Sequence, residues 1–536
     1  MNENMRVLFL VVQSQASYRL FEEIGVGYLA AYLRKHGHEV MLMTEDAATV
    51  DYERIQSFKP DLIGMPVYIP TEEAVYKVSS ELKKRIPSVY IAVGGYSPTY
   101  RGAEMLAESS DIDFVLCGEG ELATLNLITA LLNNQSLGDI KGLIYRNGDN
   151  IIVNEDQELI PDIDILPWPA RDLLVEKKYK VALISTSRGC TGNCSFCVTR
   201  PFWKKWRGRN VKDVVDEMEY IVNNYGINVF HFIDCSFENP GMCYERVKEI
   251  AQEILDRKLK VFYFAFIRPD FHRKADHELM ELVRDSGMMG ALIGVESNDA
   301  ETLKVYNKHT LPEDNAKVVE LFRKYNIYVD IGFIMFNPYS TFEGLRQNIY
   351  YLESFGFACI LGYVAGLYIM FEGCALFEKI KRDGILEDEE NILGYRYVDE
   401  RVEKVSKYVS RFVQQVETST NATFLRIHKS LITLAYWKRI YADNQKLYEV
   451  LVEMEQHYAI IRDELNSRIA NWFRKLLDLG ENNWDEAEAD VITNEIMSRD
   501  YIIGVSKNME HKRNILHIKL SRHGFDIKAA PFIETI

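Results

Sequence analysis

Residues 187–197 read Ser187-Arg-Gly-Cys190-Thr-Gly-Asn-Cys194-Ser-Phe-Cys197. Three cysteines spaced C-x3-C-x2-C, directly after the apolar run Val181–Ser185, sit in one loop that can wrap a metal cluster. Thiolates are the soft ligands that such iron needs. A tetrahedral zinc site or a fully cysteine-held 4Fe–4S cluster takes four protein ligands. No fourth Cys or His lies nearby; the next thiol, Cys235, is about 38 residues on. Three ligands leave one iron open, and an open iron can bind a substrate or cofactor. The plainer readings are a zinc loop completed by a distant His, or three ordinary buried thiols.

The elements around that loop predict an α/β fold. In residues 1–140, strand-like Val7–Val12, Glu39–Thr44, Leu62–Pro66, Val89–Gly94 and Phe114–Cys117 alternate with helix-like Gly25–His36, Tyr52–Phe58 and Glu72–Ile86. That alternation indicates a doubly wound, Rossmann-like parallel sheet with a ligand site at the strand carboxyl ends. Residues 141–178 read as a linker, extended around Pro167 and Pro169. Residues 179–390 repeat strand and helix six times, with strands at Val181–Ser185, Val229–Ile233, Val261–Ala265, Gly290–Val295, Val329–Met335 and Ile360–Tyr368. A partial (β/α)6 barrel of TIM type follows, its active site at the strand carboxyl ends. Residues 391–536 are mostly helical in period, over Arg401–Val416, Ala422–Ala442, Leu447–Leu477 and Glu486–Arg499; Val505–Ile518 reads as a small hairpin.

With Phe196 before its last cysteine, the loop resembles that of the radical S-adenosylmethionine superfamily. The resemblance implies a 4Fe–4S cluster on Cys190, Cys194 and Cys197, with S-adenosylmethionine on the open iron. It also implies a 5′-deoxyadenosyl radical that abstracts hydrogen from a substrate. Phe232-Ile-Asp234-Cys-Ser236-Phe falls where the family places polar groups for the methionine moiety, although many relatives carry two acidic residues there. Gly294-Val-Glu296-Ser297 resembles the family's G-[IV]-E-S segment, and Gly332-Phe-Ile334-Met-Phe-Asn-Pro338 its adenine-side strand. By resemblance, Phe196, Asp234, Ser236, Glu296, Ser297 and Ile334 are cofactor contacts.

Ile24-Gly-Val-Gly-Tyr-Leu-Ala-Ala, Val93-Gly94-Gly95, Gly118-Glu-Gly120-Glu and Leu166-Pro-Trp-Pro-Ala-Arg-Asp-Leu resemble the radical enzymes that carry an N-terminal cobalamin-binding domain. Gly94 and Gly95 would admit a corrin or its nucleotide tail close to the backbone. No His stands between Gln13 and Glu22 to ligate cobalt from below. The family implies a C-methyltransferase acting on an unactivated carbon through the radical and methylcobalamin. A radical enzyme that cyclises, rearranges or oxidises its substrate is the alternative, and a metal-stabilised binding module the second. Implied partners are an electron donor such as flavodoxin or ferredoxin and a small-molecule or peptide substrate.

At 536 residues the chain has room for three or four domains of about 150 residues. A composition 47% apolar and 12% aromatic excludes a disordered chain. A net charge of −16 makes general nucleic-acid binding unfavourable. Arg200–Arg209 interleaves five basic residues with three aromatics, yet its place beside the cysteines suits an anionic cluster or an electron donor better than single-stranded nucleic acid. The apolar stretch Ala358–Phe371 has 14 residues, too few for a membrane span. Val7–Val12 reads as a strand and not as a signal peptide. Eight cysteines with no disulfide-scaffold density predict a reduced, cytoplasmic protein.

Overall fold

A computed structural model describes residues 4–13, 21–238, 244–389, 392–420 and 423–524. Residues 14–20, most of the segment without histidine, lie outside the described residues.

The first module runs β1 (Arg6–Gln13), α1 (Ile24–Lys35), β2 (Glu39–Asp46), α2 (Tyr52–Phe58), β3 (Leu62–Pro66), α3 (Glu72–Arg85), β4 (Tyr90–Gly94), α4 (Tyr96–Glu108), β5 (Phe114–Leu116) and α5 (Gly120–Asn133). The five strands pair in parallel in the order β2-β1-β3-β4-β5. Seven of the eight β1 residues are buried, because helices cover both faces of a doubly wound sheet. One core cluster packs on each face.

The stretch read as a linker opens with structure. β6 (Leu143–Asn147) and β7 (Asn150–Val153) form a hairpin that adds two antiparallel strands beside β5. Its turn carries Asn147-Gly148, with Gly148 at φ +60°, a pairing that favours tight hairpins.

After α6 (Asp172–Glu176) come β8 (Ala182–Ile184), β9 (Ser187–Arg188), α7 (Thr199–Trp203), β10 (Arg207–Gly208), α8 (Val211–Tyr225), β11 (Val229–Phe232), α9 (Glu245–Asp256), β12 (Phe262–Ile267), α10 (His277–Asp285), β13 (Met288–Glu296), α11 (Ala300–Val305), α12 (Pro312–Lys324), β14 (Tyr328–Phe333) and α13 (Phe342–Ser354). β8, β11, β12, β13 and β14 form one parallel sheet. The sixth strand expected at Ile360–Tyr368 is instead the helical turn α14 (Leu361–Val364), with a lone parallel bridge from Leu367 to Phe336. An unbroken apolar run suits a buried strand or a buried helical turn equally, and Gly362 and Gly366 weaken the strand.

α15 (Ala375–Arg382) and the hairpin β15 (Leu386–Glu389) and β16 (Ile392–Tyr395) lead to α16 (Glu400–Thr420), α17 (Thr423–Ile440), α18 (Gln445–Asn483), α19 (Glu486–Ile496) and α20 (Arg499–Arg522). The hairpin expected at Val505–Ile518 lies inside α20, whose Ile502, Met509, Leu516 and Leu520 are buried at helical spacing. Barrel and tail share one core cluster, which reaches from Val181 to Leu520.

A buried ion network joins the two α/β modules. Arg171 donates to Glu22 and Glu217, Arg188 to Glu119 and Glu121, Arg207 to Glu119, and Arg209 to Glu217. Every one of these side chains is at most 9% exposed. Removing one partner strands the others without charge or solvent. Arg171→Met is expected to cost about 3–5 kcal/mol in urea unfolding, and to expose the 154–171 segment to protease.

Candidate cofactor site

β9 and β10 form a two-residue antiparallel pair at the base of the cysteine loop. Gly189 follows β9 at φ +88°, and a Cβ there would stand 2.4 Å from the Lys205 carbonyl oxygen. Only glycine fits. The loop is then pinned by its own backbone: Ser195 N–H donates to the Tyr306 carbonyl (2.8 Å), Leu376 N–H to the Ser195 carbonyl (2.7 Å), and Ser195 Oγ to the Val305 carbonyl (2.6 Å).

The thiols accept hydrogen bonds from that loop. Gly192 N–H lies 3.2 Å from Cys190 Sγ and Thr199 N–H 3.4 Å from Cys197 Sγ. The Thr199 hydroxyl reaches both Cys197 and Cys235. Burial pushes the Cys190 and Cys197 thiols up, so their thiolates need a compensating cation. Arg268 supplies one positive charge, its Nη1 3.9 Å from Cys194 Sγ. Among the described residues, no three Cys, His, Asp or Glu side chains converge to hold one ion. Three loop thiols beside a guanidinium are the soft donors that an iron–sulfur cluster takes, its ligands spread over several irons. The donor set fits the cluster.

Two of the expected cofactor contacts are buried and bonded within the fold. Asp234 is 1% exposed and accepts from Thr186 N–H, Thr186 Oγ and Ser187 Oγ, so it braces the strand before the cysteines. Ser297 is fully buried and donates to Asn348 on α13. Glu296 stands at φ +64° beside Gly294 and Gly332, where its carboxylate occupies the space that a Cβ would need. It pairs with Lys308 (3.3 Å), whose Nζ lies 5.7 Å above the Phe196 ring. Phe196 meets Tyr306 edge-on, and Ile334 packs in the same cluster. Ser236 bonds to Glu238.

Glu238 escaped the sequence reading. It is 4% exposed; its Oε1 accepts from Arg268 N–H (2.8 Å), while its buried Oε2 has no hydrogen-bond partner among the described residues. Burial pushes its carboxyl up to about 7. Beside Arg268 it places one carboxyl and one guanidinium next to the cysteines. That pair suits the ammonium and carboxylate of an amino acid.

The barrel interior also lay outside the motifs. Alternate residues of β11 to β14 face inward and are half-buried: His231, Phe264, Phe266, Leu292 and Asp330. Burial pushes the His231 imidazole down to about 4, among the rings of Phe21, Phe264 and Phe266. The Tyr363 hydroxyl donates to Asp330. The signal was the period-two alternation of these strands.

A second space opens at the carboxyl ends of β1, β3, β4 and β5. This slot, about 200 Å³, is lined by Gly25, Gly94, Gly95 and Gly118 on one side and by Arg188, Phe202 and Trp203 on the other. Gly95 takes φ +110°, and nothing lies within 4 Å of where a Gly25 Cβ would be. Trp203 Nε1 donates to the Tyr96 hydroxyl (2.8 Å), which closes the slot against α7. The Arg200–Arg209 segment is divided: Arg207 and Arg209 are buried in the ion network, whereas Arg200, Lys204 and Lys205 are exposed, Arg200 reaching the Cys190 carbonyl. The slot, glycine-floored and ring-walled, fits a cofactor tail.

Comparison with known proteins agrees with this arrangement. Residues 16–128 match the B12 binding domain family and residues 184–348 the radical SAM superfamily. The chain thus pairs a B12 binding domain with a radical S-adenosylmethionine domain, the two-module plan of cobalamin-dependent radical S-adenosylmethionine proteins. With these domains come a 4Fe–4S cluster, S-adenosylmethionine and cobalamin.

Among individual proteins, the chain is 30% identical over 344 residues to the anaerobic magnesium-protoporphyrin IX monomethyl ester cyclase of Rubrivivax gelatinosus, covering 60% of this chain and 60% of that protein. It is 25% identical over 441 residues to the cytidylyl-2-hydroxyethylphosphonate methyltransferase of Streptomyces wedmorensis, covering 70% and 80%. In fold it resembles the cobalamin-dependent radical enzyme OxsB with aqua-cobalamin bound, at TM-score 0.72 and 19% identity, over 97% of this chain and 84% of that one. No helix among the described residues is long and apolar enough to cross a membrane.

Gly189→Ala is expected to leave the helical content intact but to bring reconstituted iron and sulfide well below one cluster per chain, read by metal analysis and visible absorbance.

Proposed function

We propose that the chain is a C-methyltransferase that acts on an unactivated carbon of a small-molecule or peptide substrate. The observation that carries this reading is Arg188, which lines the cobalamin-side slot and stands two residues before Cys190. One short segment thereby serves as wall to both cofactor sites. When bound, the cluster and S-adenosylmethionine supply a 5′-deoxyadenosyl radical, and the corrin supplies a methyl group.

The chain's own residues bind, orient and exclude water. Cys190, Cys194 and Cys197 hold the cluster. Glu238 takes the ammonium and Arg268 the carboxylate of the methionine end, while the Glu296–Lys308 pair and Ile334 border the nucleoside side. Gly94 and Gly95 admit the cobalamin tail. Phe264, Phe266, Leu292 and a neutral His231 give the barrel interior an apolar wall, which suits a carbon skeleton and keeps water from a radical. An electron donor such as flavodoxin or ferredoxin serves the cluster in the cytoplasm, where the cysteines stay reduced.

The 30% identity to a cyclase supports a second reading, ring closure or oxidation without methyl transfer. Anaerobic turnover separates the two. Methylation gives S-adenosylhomocysteine and 5′-deoxyadenosine together, with two S-adenosylmethionine consumed per product. The second reading gives 5′-deoxyadenosine with little S-adenosylhomocysteine.

Glu238→Gln is expected to weaken S-adenosylmethionine binding to the cluster-loaded protein about tenfold, the worth of one charge-assisted contact. Binding of 5′-methylthioadenosine, which lacks the amino-acid end, stays unchanged. Asp234→Asn lowers thermal stability instead, because its three donors lose their charged acceptor. Calorimetry and thermal unfolding read both.

A further inference from the structure

A cavity of about 760 Å³ lies at the opposite end of the barrel from the cysteines, between the start of β14 and the tail helices α17 and α18. Four cations line it, Arg323, Lys438, Arg439 and Arg462, against the single carboxylate of Glu455 among the described residues. In a chain of 63 basic and 79 acidic residues, such a local excess runs against composition.

The cations are unequally compensated. Lys438 pairs with Glu455, and Arg462 with Asp463 beside it. Arg439 donates to the carbonyls of Met288 and Arg284, and Arg323 to that of Phe355 while lying over the Phe355 and Phe357 rings. Carbonyls and rings orient a guanidinium but do not cancel its charge. Burial, and then the Arg462 charge, pulls Arg323 below its ordinary value; burial does the same to Arg439. Holding such charges half-desolvated is costly unless an anion joins them.

Three guanidinium groups from three separate helices, α12, α17 and α18, surround one space. Planar forks of this kind match phosphate oxygens. Apolar residues, among them Ile327, Phe357, Leu431 and Ala435, complete the lining. The volume lies within the range of small-molecule sites, about 300–1,000 Å³.

We propose that this cavity is a second ligand site, remote from the radical chemistry, that takes an organic phosphate with its anionic end between Arg323, Arg439 and Arg462. Its ligand bridges the barrel floor and the tail, so binding raises the stability of the whole chain by mass action.

The test titrates the full chain with 1-naphthyl phosphate, inorganic phosphate and 1-naphthol, read by calorimetry and thermal unfolding. Naphthyl phosphate is expected to bind and raise the melting temperature, inorganic phosphate to bind more weakly, and naphthol not to bind. Arg462→Gln alters a side chain at the cavity rim, and Arg323→Gln supplies an independent variant. Each is expected to weaken naphthyl phosphate binding about tenfold, the worth of one charge-assisted hydrogen bond. An equal response to naphthol, an undiminished response in both variants, or no response at millimolar phosphate ester overturns the proposal. None of these readings uses cluster, cobalamin or turnover.

Discussion

The rest of the structure depends on charges that have left water in pairs. Arg171, Arg188, Arg207 and Arg209 come from the linker and the barrel; Glu22, Glu119 and Glu121 come from the first module and Glu217 from α8. Each ion taken alone costs several kcal/mol to bury, so any slip of one module past the other exposes an uncompensated charge. A purely apolar seam would tolerate small sliding. This one fixes register, and it does so at Arg188, where register sets the position of the cysteine loop relative to the slot in the first sheet. Hydrogen bonds from Arg207 and Arg188 hold the Glu119 carboxyl down even against its burial, whereas burial pushes the Glu22 carboxyl up despite the Arg171 charge beside it.

The cysteine loop lies downstream of that constraint. Its path is fixed by backbone bonds to Val305, Tyr306 and Leu376 and by a glycine that passes under Lys205. Cys190 and Cys197 are held in a place that penalises their ionised form. Metal binding then becomes part of the loop's stability, since the metal supplies the charge that burial withholds. Backbone-anchored turns place the thiols beside Arg268, whose Nη1 lies 3.9 Å from Cys194 Sγ, and a cluster held there would have that cation next to it.

The sequence made the architecture legible wherever one period dominated. Parallel strands such as Val7–Val12 and Val229–Phe232 are short and apolar between helices of clear periodicity, and the cysteine spacing stood out from any background. Legibility failed where two structures share one pattern. Ile360–Tyr368 is apolar throughout, so neither period two nor period 3.6 could be read from it. The 140s hid a hairpin behind a region whose later prolines suggested only a linker, although Asn147-Gly148 marked the turn. Val505–Ile518 taken alone is too short a stretch to show that Met509 and Leu516 continue the spacing begun at Ile502. Long-range pairings such as Arg188 with Glu119 leave no local trace at all.

At the end of β11 the same difficulty decides chemistry. Asp234 and Glu238 are both acidic, both buried, and four residues apart, and position after a barrel strand favours Asp234 as the ligand-facing group. Their hydrogen bonds reverse that order. Asp234 spends its oxygens on Thr186 and Ser187, the residues that lead into the cysteine loop, and so braces that backbone. Glu238 keeps one buried oxygen without a donor among the described residues. A carboxylate oxygen without a donor is expensive to bury, and a cation delivered by a ligand removes that cost. Residue type and strand position narrow a site to a few candidates; which of them is available to a ligand depends on the bonds each has already made within the fold.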